Sequence, residues 1–387
     1  MAESIFWIAT ILLVYNYLLY PLFLRLIVAG RSQNSQVFLT DNELPKLSIL
    51  IPAFNEERVI HSKIESIYQS QYPIDNYEVI IGSDNSTDRT NEIIQELQEE
   101  YRNLKLHVFE HRTGKPGIIN KLVEEAQGDI LVLTDADVEL NNDCLFQMLK
   151  HFKNPDIGLV DTNMMSRSSY NDGISYQEST YVRFEVKIKH WEGIAWGSMM
   201  GPFGGCYALR KDYYTPVPDN YVVDDFFIAM NVLIKGKKCI NELEAKCYEQ
   251  TSVQIQEEFR RKIRISAGNF QNLGTFVNLL FKPFSAIGFT FLSHKVLRWF
   301  GPFFIMLAYF SSMWLFLSLD EYIFFFFLQN LLIIMALIDA SLQKIGVHSV
   351  ILRFITHFYS MNLALLLGFF KYLGGIKTNV WQPTQRE

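Results

Sequence analysis

Two carboxylates one residue apart, Asp135 and Asp137, are the residues in this sequence whose types and spacing best suit chemistry. They follow the apolar run 130–133 and Thr134, a pattern that predicts a buried strand stopping at these acids. Open α/β sheets bind ligands beyond the carboxyl ends of their strands. Carboxylate oxygens suit Mg²⁺ or Mn²⁺, which proteins usually hold together with substrate phosphates. We therefore predict a metal site at Asp137 and Asp135, with a solvated turn at the end of a strand as the alternative.

The composition limits the class of protein. The chain has 387 residues, of which 49% are hydrophobic, and a formal net charge of −6. This length allows one large domain or two smaller ones, and the acidic balance predicts no nucleic-acid partner. The cysteines form no Cys-x-x-Cys pair, which disfavours a zinc site or a disulfide framework and favours a reducing compartment. We expect all four to be small core residues: Cys144, Cys206, Cys239 and Cys247.

Uncharged runs near both ends of the chain predict membrane helices. The first run is long enough to span a bilayer and predicts an N-terminal transmembrane helix over 4–30. Later uncharged runs predict about three transmembrane helices within 300–373, followed by a tail over 374–387. The segment 276–299 contains a shorter apolar stretch, which favours an interfacial or re-entrant segment. The charged region between these runs, 45–275, is the predicted catalytic domain.

The distribution of basic residues predicts the orientation in the membrane. Arg25 and Arg31 follow the first run, which places the domain in the cytoplasm by the positive-inside rule. Lys344 and Arg353 favour a cytoplasmic loop between the last two runs, and the tail also carries basic residues. One span before the domain and three after it would put the tail outside, so either one run does not cross or the segment near Phe284 does. We predict an integral protein of the plasma (inner) membrane.

Strands and helices alternate through the predicted domain. The predicted strands are 47–52, 78–82, 104–109 and 129–134, and the predicted helices are 57–69, 88–100 and 116–126. This order predicts an α/β fold, with a mainly parallel sheet and helices on both faces. The sequence contains no Gly-x-Gly-x-x-Gly and no Walker lysine motif, so neither a dinucleotide fold nor a P-loop is supported.

The loops after the four predicted strands converge on one edge of that sheet. In these loops Asp84 can accept a hydrogen bond from a base imide, Phe54 can supply a flat apolar wall, and Lys115 can supply a charge for a diphosphate. Each residue has a simpler interpretation. Asp88 is better suited to capping the next helix, and Lys115 taken alone is typical of a solvated surface lysine.

Four motifs in this order resemble the nucleotide-sugar half of the family-2 inverting glycosyltransferases, which have the GT-A fold. The motifs are IPAFNEE (51–57), SDNSTDRT (83–90), GKPGIIN (114–120) and LTDAD (133–137). The membrane-bound branch of that family includes cellulose, chitin, hyaluronan and poly-N-acetylglucosamine synthases and ceramide glucosyltransferase. The resemblance implies a nucleoside-diphosphate sugar as donor, with uridine favoured, and Mg²⁺ or Mn²⁺ at Asp137 and Asp135. It implies that the donor is bound by Pro52, Phe54, Glu56, Asp84, Lys115 and Asp135.

The resemblance also assigns residues to the acceptor side. Gly204, Gly205 and Cys206 resemble the family's small-residue strand beside the donor sugar, although a tight turn leading into a buried strand gives the same pattern. Asp224 and Asp225 resemble its catalytic acidic pair, in which Asp225 would be the general base that takes the proton of the acceptor hydroxyl. The alternative is a helix N-terminus, where two acids favour the macrodipole.

Residues 261–265 occupy the place of the family's Gln-x-x-Arg-Trp motif. Arg264 keeps the catalytic arginine, whereas Arg261 replaces the Gln on the acceptor side. Ile265 replaces the Trp that lies against the acceptor sugar in synthases, which disfavours processive polymerisation. A basic interfacial helix facing acidic lipid head groups is the alternative interpretation of this cluster.

The sequence therefore predicts an inverting, metal-dependent membrane glycosyltransferase of the hexosyltransferase type, acting on a lipid-linked or polysaccharide acceptor. One alternative is transfer of a single sugar directly to polyprenyl phosphate or another lipid. An alternative of another class is a non-catalytic nucleotide-binding subunit whose partners are the other subunits of a synthase complex. A transporter is disfavoured because the uncharged runs contain no ionisable residue except His357.

Overall fold

The computed structural model describes residues 1–40, 43–166, 174–249, 255–343, 347 and 349–376. Lys344 and the tail beyond residue 376 lie outside the described residues. The chain forms two compact units, which we call the helical unit and the sheet unit. The helical unit contains Met1–Leu26, Ser169–Tyr181 and Gln254–Gly375, and the sheet unit contains Ile27–Ser168, Val182–Val253 and Ile376–Glu387.

The described part of the sheet unit is built on one eight-stranded sheet with the order β3-β2-β1-β4-β7-β6-β8-β5. The strands are β1 (Leu47–Ala53), β2 (Tyr77–Ser83), β3 (Leu104–Val108), β4 (Ile130–Thr134), β5 (Val138–Leu140), β6 (Ile157–Ser166), β7 (Cys206–Arg210) and β8 (Lys238–Glu249). The helices are Ile60–Tyr68, Thr90–Glu100, Lys115–Glu125, Cys144–Leu149 and Asp224–Ile234. The helix Ile174–Trp196 begins in the helical unit and ends in the sheet unit.

The sheet is mixed. Strands β1, β2, β3 and β4 pair in parallel, as predicted, and β6 and β8 also pair in parallel. Strand β7 runs antiparallel to both β4 and β6, and β5 runs antiparallel to β8. Because β7 reverses direction, its first residue Cys206 pairs with Thr134, the last residue of β4. The residues before β7 therefore lie at the same edge as the residues after β4, and the predicted α/β class is confirmed.

The core of the sheet unit explains why the first half was predictable. All residues of β1 and β4 are buried, and most of them are apolar, as is typical of central parallel strands. The second half adds buried helices such as Asp224–Ile234. The four cysteines are buried and free, as predicted. The first helix begins at Ile60 rather than at the predicted residue 57, because Asn55 has a φ of 53° and Glu57 bonds to Asp88 in the loop after β2.

The helical unit carries the predicted membrane segments. Among the described residues three helices are long and apolar enough to cross a membrane: Ala2–Ile27, Glu321–Gln343 and Val350–Leu373. The predicted run 300–319 forms the shorter helix Gly301–Phe316, which counts as a span only together with Ala286–Trp299, at an angle of 59°. The other helix of this unit is Ile255–Phe276, and shorter segments are Val277–Phe281, Ala286–Thr290, Phe291–Val296 and Leu297–Trp299.

The last two helices contain a buried ion pair. The Nε atom of Arg353 lies 3.5 Å from Oδ1 of Asp339, and both side chains are buried. Gln343 donates a hydrogen bond of 2.6 Å to the other oxygen of Asp339. The placement of Arg353 in a loop is therefore wrong, because the helices extend past the uncharged runs and include both charges. The expectation that these spans hold no ionisable residue except His357 is wrong for the same reason.

We expect Arg353→Met to lower the stability of the protein by about 3 kcal/mol, because it leaves the Asp339 carboxylate buried and unpaired. The double variant Asp339→Leu/Arg353→Met should regain most of this loss, since an apolar pair of similar volume replaces the charges. Thermal unfolding of detergent-purified protein measures both effects. Equal midpoints for the wild type and the single variant would show that the ion pair contributes nothing.

Candidate active site

The two acids that end β4 lie in a tight turn between β4 and β5. The N–H of Asp135 and the hydroxyl of Thr134 both donate to the carbonyl of Gly205, each at 2.9 Å. The N–H of Val138 donates to the carbonyl of Asp135 at 3.3 Å. These bonds join the Asp135–Asp137 turn to the glycine pair that precedes β7, which is possible because β4 and β7 are antiparallel neighbours.

Lys115 begins the helix Lys115–Glu125 and contacts the turn directly. Its Nζ donates to Oδ1 of Asp135 at 2.6 Å. Burial lowers the pKa of Lys115, but Asp135, Asp224 and Asp225 act against burial and raise the pKa above its ordinary value. Lys115 therefore stays protonated and compensates the charge of three carboxylates. The interpretation of Lys115 as a solvated surface lysine is wrong.

The predicted base-binding residues Asp84 and Phe54 are linked by Arg112. Asp84 is fully buried and accepts hydrogen bonds from Nε of Arg112 at 3.0 Å, from the N–H of Thr113 at 2.5 Å and from the N–H of Gly114 at 3.2 Å. The Arg112 guanidinium lies over the Phe54 ring, 3.3 Å from its centroid. The sequence analysis did not identify Arg112 as a site residue, although Arg112 lies only three positions before Lys115 in the same loop.

The loops after β1 and β2 are bonded to each other. Asn55 donates its N–H to the Ser86 hydroxyl at 3.1 Å, and its side-chain oxygen accepts from the N–H of Thr87 at 2.8 Å. The N–H of Glu56, another predicted donor residue, donates to the Thr90 hydroxyl at 2.8 Å. Asp88 accepts from the N–H of Thr90, the first residue of the next helix. The N-cap residue of that helix is Arg89, so the predicted capping position of Asp88 is wrong by one residue.

Three of the predicted residues have backbone roles. Pro52 is buried within β1, where it pairs with Gly82 of β2. Gly204 has a φ of +84°, and a Cβ atom there would lie 2.4 Å from Oδ2 of Asp225. A Cβ atom on Gly205 would lie 2.1 Å from the terminal methyl of Met164. The prediction of a tight turn leading into a buried strand at 204–206 is therefore confirmed, and the Asp225 carboxylate lies directly against this turn.

Asp224 and Asp225 begin the helix Asp224–Ile234, as the alternative interpretation of this pair required. Oδ1 of Asp225 accepts a hydrogen bond from the N–H of Phe226 at 2.6 Å. Oδ2 of Asp224 and the hydroxyl of Tyr207 are buried and make no hydrogen bond with the residues that the structure describes. Burial, together with the neighbouring Asp224 charge, raises the pKa of Asp225 to about 7 although Lys115 acts to lower it. A carboxylate with such a pKa exchanges protons readily near neutral pH.

Arg261 and Arg264 belong to the helical unit, where they lie on the helix Ile255–Phe276. Arg261 is exposed and Arg264 is half-buried. Their roles stay predictions from the resemblance.

The acids at the end of β4 suit one kind of metal site. Within the described ranges no three His, Cys, Asp or Glu side chains form a cluster that could hold an ion by themselves. Two carboxylates, one of them already paired with Lys115, provide only part of a coordination shell. Mg²⁺ is commonly held by one or two carboxylates together with substrate phosphates. The donor set at Asp135 and Asp137 therefore fits a metal that binds with a diphosphate.

The mixed sheet with its surrounding helices is a fold of the GT-A type. The family model described as "Glycosyl transferase family 2" matches residues 48–214. The resemblance drawn from the four motifs is therefore confirmed over these residues, which are less than half of the chain.

Several known proteins are similar in sequence to parts of this chain. A beta-monoglucosyldiacylglycerol synthase from Nostoc sp. is 38% identical over 119 residues, which are 30% of this chain and 25% of that protein. A poly-beta-1,6-N-acetyl-D-glucosamine synthase from Staphylococcus epidermidis is 24% identical over 277 residues, which are 70% of this chain and 63% of that protein. The chain thus spans between 25% and 34% of the length of the relatives with 34–38% identity.

The solved structure of the mannosyltransferase PcManGT from Pyrobaculum calidifontis, in complex with GDP-Man and Mn²⁺, superposes with a TM-score of 0.73. The superposition covers 96% of this chain and 99% of that chain at 20% sequence identity. At this identity the similarity establishes the fold.

Proposed function

We propose that this protein is a membrane glycosyltransferase that transfers a sugar from a nucleoside-diphosphate sugar to a lipid-linked or polysaccharide acceptor with inversion. One observation carries the proposal: protonated Lys115 contacts Asp135 and compensates the charges of Asp224 and Asp225. Of these two acids, Asp225 has its pKa raised to about 7 by burial and by the Asp224 charge. A site that releases a diphosphate and removes a proton from a hydroxyl needs this combination of a cation and a base.

Asp225 acts as the general base in this proposal. Its carboxylate lies against Gly204, which has no side chain. The carboxylate accepts the proton of the acceptor hydroxyl while the hydroxyl oxygen attacks the anomeric carbon. Attack from the face opposite the diphosphate inverts that carbon. The neighbouring Asp224 raises the pKa of Asp225 and so makes it a stronger base.

Lys115 stabilises the negative charge that develops on the leaving diphosphate. A divalent ion, Mg²⁺ or Mn²⁺, held by Asp137 and Asp135 would add a Lewis acid on that diphosphate when bound. Phe54 and Asp84, with Arg112 between them, are the residues that we propose surround the nucleobase of the donor. The resemblance assigns a catalytic role to Arg264 and acceptor-side roles to Arg261, Gly204, Gly205 and Cys206.

The acceptor class follows from two observations. The relatives named above include one diacylglycerol-directed synthase and one polysaccharide synthase. Ile265 stands where synthases carry a Trp against the acceptor sugar, which supports transfer of a single sugar to polyprenyl phosphate or another lipid. We place the sheet unit on the cytoplasmic side of the plasma (inner) membrane, because Arg25 and Arg31 follow the first span.

The test is transfer by purified protein, supplied with Mn²⁺ or Mg²⁺, a panel of nucleoside-diphosphate sugars and extracted membrane lipids as acceptors. We expect metal-dependent transfer from at least one donor, with product masses that distinguish a single sugar from a polymer. The absence of turnover and of metal-dependent nucleotide binding across the panel would refute the proposal that the protein is a glycosyltransferase. Metal-dependent binding without turnover would favour the non-catalytic subunit of a synthase complex.

We expect Lys115→Met to lower kcat/KM by about 100-fold, because a preorganised charge opposite the diphosphate is lost. Lys121→Met is the matched control, since Lys121 lies on the same helix but pairs with Glu124 at the surface. Steady-state kinetics over a range of donor concentrations measure the effect. Equal rates for the two variants would remove Lys115 from the site.

A further inference from the structure

Lys63 bonds both ends of the turn that carries the two acids. It lies on the helix Ile60–Tyr68, and its side chain is fully buried. Its Nζ donates to the Thr134 hydroxyl at 2.7 Å and to the carbonyl of Val138 at 2.5 Å. Thr134 directly precedes Asp135 and Val138 directly follows Asp137, so one ammonium group holds the turn at its two ends.

The same contact extends toward the proposed base. The Thr134 hydroxyl accepts a hydrogen bond from Lys63 and donates one to the carbonyl of Gly205 at 2.9 Å. Gly205 follows Gly204, whose α-carbon faces the Asp225 carboxylate. A continuous series of hydrogen bonds thus connects Lys63, the Asp135–Asp137 turn and the glycine pair beside Asp225.

A buried ammonium at this position requires an explanation beyond packing. Burial lowers the pKa of Lys63, whereas three cysteine thiols and the Asp135 carboxylate act to raise it. An apolar side chain would fill the same space without the cost of burying a polar group. The ammonium is the group that can bond a hydroxyl and a carbonyl at once and attract anionic groups in the turn above it.

We propose that Lys63 is a positioning residue for the metal and diphosphate site, and that it fixes the carboxylates of Asp135 and Asp137 by holding Thr134 and Val138. The proposal rests on the proposed function, because it assumes that these acids bind a divalent ion together with a nucleoside diphosphate. Removing a group that orients metal ligands typically weakens metal binding by about 10–100-fold.

The test is the Mn²⁺ concentration that gives half-maximal binding of UDP or GDP, measured by titration without turnover. We expect Lys63→Met to raise this concentration by at least about tenfold. It should also raise the KM for the donor while saturating Mn²⁺ restores most of kcat. Ile64→Ala is the matched control, because it creates a cavity on the same buried helix without touching the turn. An equal shift in Ile64→Ala would reduce Lys63 to a stability role and overturn the proposal.

A second pair of variants decides the question if Lys63→Met does not fold. Thr134→Ser keeps the hydroxyl that Lys63 bonds and should behave as the wild type, whereas Thr134→Val removes it and should shift the Mn²⁺ dependence. Unchanged Mn²⁺ dependence in Thr134→Val would overturn the proposal while leaving the proposed function intact. A wild-type protein that binds neither nucleotide with Mn²⁺ would overturn both.

Discussion

Asp225→Asn is expected to lower the rate of sugar transfer by about 1,000-fold while leaving donor binding unchanged. The amide has nearly the shape of the carboxylate, so the contact with Gly204 is kept, but it cannot accept the proton of the acceptor hydroxyl. Single-turnover transfer and equilibrium binding of the nucleotide separate the two effects. Loss of donor binding instead would assign Asp225 to the donor rather than to proton transfer.

The pH dependence of transfer provides an independent test of the same residue. Burial and the Asp224 charge raise the pKa of Asp225 to about 7, so the carboxyl is mostly protonated and inactive as a base below that pH. The rate of the wild type should therefore rise with pH through about 7 and level off above it. The residual rate of Asp225→Asn should lack this step. A wild-type profile that is flat across this range would contradict the assignment.

The same pKa predicts a change in stability with the opposite direction in pH. The pKa of Asp225 is 3.8 in ordinary surroundings and about 7 in the folded protein, so the folded state binds the proton more tightly. This group's contribution to stability is therefore lost as the pH rises from 3.8 to about 7. Asp225→Asn removes the buried charge and should unfold at a higher temperature than the wild type above that range. An inactive but more stable variant would exclude unfolding as the cause of inactivity.

Gly204→Ala is expected to lower transfer by about 100-fold, because a shift of the catalytic group by about 1 Å has effects of this size. A Cβ atom at this position would lie 2.4 Å from Oδ2 of Asp225, so the carboxylate must move. The φ of +84° also strains any residue other than glycine, which lowers stability independently of the contact.

Gly236→Ala is the control that separates the two effects of this substitution. Gly236 has a φ of +80°, but a Cβ atom there meets nothing within 4 Å. Both variants should lose similar stability in thermal unfolding, and only Gly204→Ala should lose transfer activity. Equal activities would show that the Asp225 carboxylate does not need its position against Gly204.

The first half of the fold was predictable because its signals are local. The strands β1 and β4 are mostly apolar, with Ser48 and Thr134 as their polar residues, and each is followed by residues that suit a loop rather than a core. The antiparallel half was not predictable from such runs. The direction of β7 is set by its pairing with β4 and β6, which lie far from it along the chain. The five residues of β7 themselves contain no pattern that predicts this direction.

The residues that sequence interpretation missed act through contacts of the same distant kind. Lys63 is one charge in an amphipathic helix, and nothing in its surroundings along the chain indicates that it reaches Thr134, 71 positions later. Arg112 appears as one of several charges before Gly114, but its guanidinium lies between Phe54 and Asp84. Asp339 and Arg353 lie just outside the uncharged runs, so a search for such runs ends before it reaches them.

The most direct test of the metal and diphosphate site is binding of UDP and GDP to the wild type and to Asp137→Ala, with Mn²⁺ and with a chelator. We expect Mn²⁺-dependent binding of at least one nucleotide to the wild type, and an affinity that is lower by about tenfold or more in Asp137→Ala. Asp129→Ala, at the opposite end of the same strand, should bind as the wild type does. Nucleotide binding that neither the chelator nor Asp137→Ala changes would contradict a metal and diphosphate site at Asp137.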